Sequence, residues 1–160
     1  GKDADLAALE HVPPKKRSLW GWLFPAVIVA FIALGFSLGS PHQGYAMAKW
    51  WIICNAAFGA LGAIIALSHP VTVLVAAVVS PLTTLHPALA SGWFAGLSEA
   101  YLKKPKVKDF ENIATDIMSV RGFWHNSITR TLMVVVLTNL GSTAGALLAL
   151  PILTKIMVTG

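Results

Sequence analysis

"VVSPLTTLHPALASGWF", residues Val78 to Phe94, reads as the middle of a membrane helix that has been cut. It carries Pro81, His86, Pro87 and the hydroxyls of Ser80, Thr83, Thr84 and Ser91, inside a run from Trp50 to Ser98 with no charged residue. Helix breakers in so apolar a setting are costly. Hydrocarbon offers freed backbone groups no partner, and irregular backbone survives at membrane depth only where protein or a water-filled cavity surrounds it. At 1.5 Å per residue, segments 70–80 and 87–101 reach about 17 and 22 Å, whereas a hydrocarbon core is roughly 30 Å thick. The stretch therefore predicts two half-helices, 70–80 and 87–101, broken from Ser80 to Pro87 and enclosed by other helices. "SHP" at 68–70 and "LHP" at 85–87 each place a proline where a helix starts, after a polar residue.

Working outward, the 160 residues are 56% hydrophobic and 12% charged, against roughly 25% charged in soluble domains. Charge is also absent from Ser18 to Ala48 and from Thr131 to Thr154. The reading is an all-α, polytopic helical membrane protein. Full spans are expected at about 19–39, 49–67 and 128–156, within one membrane domain covering 19–160. Trp20, Trp22 and Phe24 would form one interfacial aromatic belt, and Trp50 and Trp51 the opposite one. "SPHQGYAMAK", 40–49, reads as a polar turn, and Pro151 should bend or end the last span. Residues 1–18 read as a polar leader joining an upstream domain, not as a signal peptide, because the apolar run that follows is too long.

The formal charge of +5 would point to nucleic acid in a soluble protein, but here the basic residues flank apolar runs and set topology, so no nucleic-acid partner is expected. Lys2, Lys15, Lys16 and Arg17 precede the first span and only Lys49 precedes the second, which places the start in the cytoplasm. Lys103, Lys104, Lys106, Lys108, Arg121 and Arg130 place the basic loop 103–130 there too. Residues 69–102 must then cross an even number of times, as a re-entrant pair would. Within the loop, Phe110, Ile113, Ala114, Ile117 and Met118 recur at helical spacing and predict an amphipathic surface helix, 109–121, capped by Asp109 and stopped by Gly122.

Small residues four apart allow close helix packing. Gly35/Gly39, Gly92/Gly96 and Gly141/Gly145 are such pairs, and Gly59 and Gly62 lie on a small face of the second span; they fit contacts within the chain or across a homodimer. Polar groups at membrane depth are Asn55, Ser80, Thr83, Thr84, His86, Ser91, Glu99, Thr138, Asn139, Ser142 and Thr143. Such groups are functional candidates by default, although capping and bridging of broken helices accounts for them more simply. The sharper reading is a buried polar pocket of Asn55, Ser80, Thr83, Thr84, His86, Glu99 and Asn139 that holds a ligand, ion or peptide group. Glu99 has Lys103 four residues on as an ion-pair partner. His69 and His86 lack further ligands at close helical spacing, so no metal, cofactor or catalytic residue is assigned. Cys54 reads as plain packing, and "GFWH" at 122–125 as a chance match to Gly-x-x-His.

"HPVTVLVAAVVSPLTTLHPALASGWFAGLSEAYLKKPKVKDFENI", with "GFWHNSITRTLMVVVLTNLGSTAGALLALP" after it, resembles the C-terminal membrane region of the TraB/PrgY pheromone-shutdown family, which is related to Tiki-type proteases. "SPLTTLHP", "AGLSEAYLKKPKVKDFE" and "LTNLGS" carry the likeness, which runs from about His69 to Pro151. The resemblance implies an upstream domain with paired Gly-x-x-His motifs that bind metal, and that cleaves or sequesters signalling peptides. No catalytic residue transfers to this chain. The expectation is a non-enzymatic membrane domain, in a prokaryotic plasma membrane, that anchors and dimerises a metal-dependent peptidase domain acting on a signalling peptide. The alternative is a transporter or channel-like module with its site at the broken helices.

Overall fold

The computed structural model describes residues 19–86 and 89–159; among them the chain forms eight α-helices and no strand. They are α1 (Trp20–Ser37), α2 (Pro41–Ile65), α3 (Pro70–Thr83), α4 (Ser91–Lys103), the short α5 (Val107–Glu111), α6 (Ile113–Asp116) and α7 (Val120–His125), and α8 (Ser127–Thr159). Three of them, α1, α2 and α8, are long and apolar enough to cross a membrane. The expected leader at 1–18, and Pro87 as a first helical residue, lie outside the described residues.

α2 starts eight residues before the expected 49, and the polar "turn" is its opening. Ser40 Oγ accepts from the Gln43 amide at 3.3 Å while Gln43 Oε1 accepts from the Ser40 amide at 2.7 Å. This reciprocal cap, with Pro41 as the first helical residue, satisfies two donors that a helix start leaves open. At its other end α2 closes with Ser68 N–H on the Ala63 carbonyl and Leu67 N–H on that of Ile64. The closure needs a left-handed residue, and Leu67 supplies it at φ 54°.

α3 and α4 pack antiparallel as a hairpin, with boundaries that differ from the expected 70–80 and 87–101. α3 runs through Pro81 to Thr83. A proline so near the end forfeits one amide, toward Ala77, and the turn beyond it is held by side chains: Thr83 Oγ1 donates to the Val79 carbonyl at 3.0 Å and Thr84 Oγ1 to that of Ser80 at 2.8 Å. Pro81 is thus not the breaker. α4 begins at Ser91. Likewise, Pro151 does not end α8, which continues to Thr159.

The single amphipathic helix at 109–121 is instead three short helices. Asp109 caps from the third position, accepting the Lys106 amide at 2.9 Å, and Ser119, in extended conformation, starts α7 with Gly122 inside it. What overrides the helical period is Asn126: its amide donates to the Asp109 carbonyl and to Asp116 Oδ2, both at 2.8 Å, folding the loop back on itself.

α2 and α8 form the central pair. α1 leans on both through Ile28, Met47, Trp51, Ala149 and Leu153, while Ala63, Ala76, Ala95 and Val134 join α2, α3, α4 and α8. The ends are sorted. Trp124 Nε1 donates to the Ile65 carbonyl, and Glu99 meets both His69 and Arg130, so the end of α2, the start of α3, the end of α4 and the start of α8 lie together. At the opposite end, Gln43 Nε2 reaches the Ile156 carbonyl at 3.5 Å. The hairpin therefore begins and finishes at one end of the bundle.

Candidate functional site

Each hairpin helix has its open N-terminus satisfied by a side chain from a helix later in the chain. α3 starts at His69 with its own Nδ1 accepting from the Val71 amide at 3.2 Å. Glu99 of α4 adds Oε2, which accepts from the His69 amide at 2.8 Å and from Thr72 Oγ1 at 2.9 Å. Glu99 is fully buried, and its other oxygen lies 3.4 Å from Arg130 Nε on α8. That ion pair, not the expected one with Lys103, balances its charge. α4 has no side-chain cap of its own. Asn139 of α8 provides one, Oδ1 accepting from the Gly92 amide at 2.8 Å and the Ser91 hydroxyl at 3.4 Å. An anion or carbonyl oxygen at a helix start meets both the free N–H groups and the positive end of the helix dipole.

Beside the Asn139 cap opens a cleft of about 490 Å³, between Phe24 of α1, the α3–α4 break and the middle of α8. Of the seven residues expected to share a pocket, Thr83, Thr84, His86 and Asn139 line it. The other three lie elsewhere. Asn55 is fully buried in α2, its amide on the Trp51 carbonyl at 2.9 Å and its Oδ1 without a partner among the described residues. Ser80 faces Gly59, and its hydroxyl has no partner among the described residues. Glu99 sits at the far end of α4, about 12 Å from Ser91 along the axis. Ser91, Ser142 and Thr143 complete the polar lining, and His86 stacks edge-on against Trp22 at 5.0 Å.

Thr72 and Arg130 are the site residues that sequence reasoning missed. Arg130 reads from sequence as a topology charge; its place in the fourth position of α8, opposite a lone buried acid, is the signal that marks it. The glycines are used within the chain. A Cβ at Gly62 would fall on the Leu137 carbonyl, one at Gly141 on that of Phe58, and one at Gly145 would lie 2.6 Å from that of Cys54, so α2 and α8 touch backbone to backbone. Gly92 and Gly96 meet α8 at Val135, Gly59 meets Ser80, and Gly35 meets Met47; Gly39 abuts Gln43. Among the described residues no group of three His, Cys, Asp or Glu side chains could hold a metal ion.

A family model described as "TraB family protein, C-terminal domain" matches residues 17–158. An uncharacterized protein of Methanocaldococcus jannaschii is 30% identical over 152 residues, covering 91% of this chain and 38% of that protein. The chain therefore spans under two-fifths of the length of that relative. No solved structure matches it.

Proposed function

The chain belongs to the TraB family, as its C-terminal domain, and from that membership we propose that it is the membrane-embedded anchor of a protein that limits or processes peptide signals. One observation carries the membrane part. Large apolar side chains face outward while polar ones are buried beside the apolar core: Asn55, Glu99 and Thr138 are fully buried, while Leu74, Leu97 and Leu140 are 66%, 72% and 60% exposed. Lipid favours that arrangement more than water does, because the leucines face acyl chains and a polar group such as Glu99 finds its partners, His69 and Thr72, inside.

In this reading α1, α2 and α8 span the bilayer, and the α3–α4 hairpin dips in from the cytoplasmic side, where the basic loop lies. Each hairpin helix is only about 20 Å long. Metal-dependent peptidase chemistry belongs to chain beyond these residues. A homodimer would have to pair through outward faces, since the glycine surfaces are consumed inside the chain.

Cysteine labelling in intact cells tests the topology. His42→Cys should react with an impermeant maleimide from outside and Met118→Cys only after permeabilisation; reaction of Met118→Cys from outside, or release of the chain by alkaline carbonate, defeats the reading. A transport function is the second reading, favoured by the cleft at the α3–α4 break, since broken helices line many substrate sites. Flux through liposomes carrying the purified domain, lost in Asn139→Leu, would select it over anchoring.

A further inference from the structure

We propose that the cleft at the α3–α4 break binds the uncharged carbonyl group of an amphiphile dissolved in the bilayer. This rests on the membrane reading above. The cleft's donors are amide, hydroxyl and imidazole groups. Only an acceptor can satisfy the Gly92 amide, so Asn139 turns Oδ1 to it and leaves the two N–H donors of Nδ2 unused by that cap. Ser142 is 4% exposed and lines the cleft with a hydroxyl able to donate. His86 lines it as well, with a buried Nδ1 lacking a partner among the described residues. The first turn of α4 adds the positive end of its dipole.

Two further facts define the ligand. Among the described residues, no Asp, Glu, Lys or Arg side chain lines the cleft. A carboxylate or phosphate would enter without a counter-ion, at several kcal/mol per desolvated ion by the general cost of burying charge, whereas a ketone, quinone or ester oxygen needs only the donors present. At the rim, Phe24, Leu89 and Leu147 are 41%, 41% and 59% exposed and apolar, so the opening faces the acyl chains and admits a ligand sideways. The volume, about 490 Å³, is within the usual range for small-molecule pockets and accommodates a polar head with the tail left in lipid.

The test uses the chain in nanodiscs, titrated separately with a decyl-benzoquinone, with dioctanoylglycerol and with decanoate at a pH where it is ionised. Saturable binding is expected for one or both neutral ligands, the quinone arm and the ester arm identifying the source, with a lowered carbonyl stretching frequency that reports the hydrogen bond. Ser142→Ala and His86→Phe should each weaken it about tenfold, the scale of one lost hydrogen bond. Thermal unfolding of each variant, unchanged, keeps the loss attributable to the cleft; if a variant unfolds, Ser142→Cys replaces it. Non-saturable partitioning, equal or tighter binding of decanoate, or binding indifferent to both substitutions overturns the proposal. Failure of the chain to insert into nanodiscs at all defeats the membrane reading instead.

Discussion

The Asn139 side-chain carbonyl accepts the Gly92 backbone N–H at 2.8 Å, so a helix that begins in the middle of the bundle takes its cap from a neighbour 47 residues away in sequence. Replacing it by leucine strands an amide and the Ser91 hydroxyl in surroundings with little water. Leaving a buried donor unmet costs roughly 1–3 kcal/mol. Asn139→Leu should lower the unfolding free energy in detergent by about 2 kcal/mol, and Asn139→Asp, which keeps the acceptor, should recover part of that loss. Equal stability of the leucine variant and the parent would show that the cap does not hold the hairpin.

The Glu99–Arg130 pair leads to a non-additive expectation. Arg130→Met leaves a fully buried carboxylate without its cation, and removing one partner of such a pair generally costs about 3–5 kcal/mol. Glu99→Gln keeps an oxygen for the His69 amide and Thr72 while removing the charge. The double variant should therefore be more stable than Arg130→Met alone. A double variant less stable than either single one would contradict this account.

Ser80 and Thr138 are fully buried, and their hydroxyls have no partner among the described residues. A group that is desolvated without compensation opposes folding, so Ser80→Ala and Thr138→Val should leave stability unchanged or raise it by up to about 1 kcal/mol. The thermal midpoint of each purified variant decides this. A clear drop in either would place an unrecognised hydrogen bond at that residue.

Leu67 closes α2 at φ 54°, a conformation that costs an ordinary L-residue about 1–2 kcal/mol and glycine almost nothing. Leu67→Gly should therefore raise stability by about 1 kcal/mol, part of the relief being offset by the greater freedom of glycine in the unfolded chain. A lower melting temperature for that variant would mean that the side chain, 64% exposed here, makes a stabilising contact outside the described residues.

Much of this architecture was legible because its signals are local. Uncharged runs locate the three long helices, and the hydroxyl- and proline-rich stretch from Ser80 to Pro87 marks the hairpin tip, although α3 continues to Thr83 and α4 begins only at Ser91. What stayed hidden was decided by partners distant in sequence. Pro81 resembles a stop until Thr83 and Thr84 are seen satisfying the carbonyls around it. The period at 109–121 is helical, yet Asn126 folds that segment into pieces. Glu99 has a plausible partner one turn away in Lys103, but burial favours the planar, less hydrated guanidinium of Arg130. Apolar surroundings alone do not separate four places, the cleft, the α2–α8 seam at Asn55, the α2–α3 contact at Ser80 and the Glu99 cap.

The glycines separate backbone contact from side-chain contact. An added Cβ at Gly62 or Gly141 would strike a main-chain carbonyl of the facing helix, of Leu137 or Phe58, whereas at Gly96 it would meet only a Val135 methyl. A methyl group can rotate away; a helix backbone moves only with its whole helix. Alanine also gains about 1 kcal/mol over glycine in a helix interior, which acts in favour of all three substitutions. Gly96→Ala should accordingly be near neutral, while Gly62→Ala and Gly141→Ala should lose about 1–3 kcal/mol net from forced overpacking. Unfolding of the three variants side by side tests the ordering. If Gly96→Ala proves the most harmful, α4 and α8 rather than α2 and α8 form the closest-packed pair in the bundle.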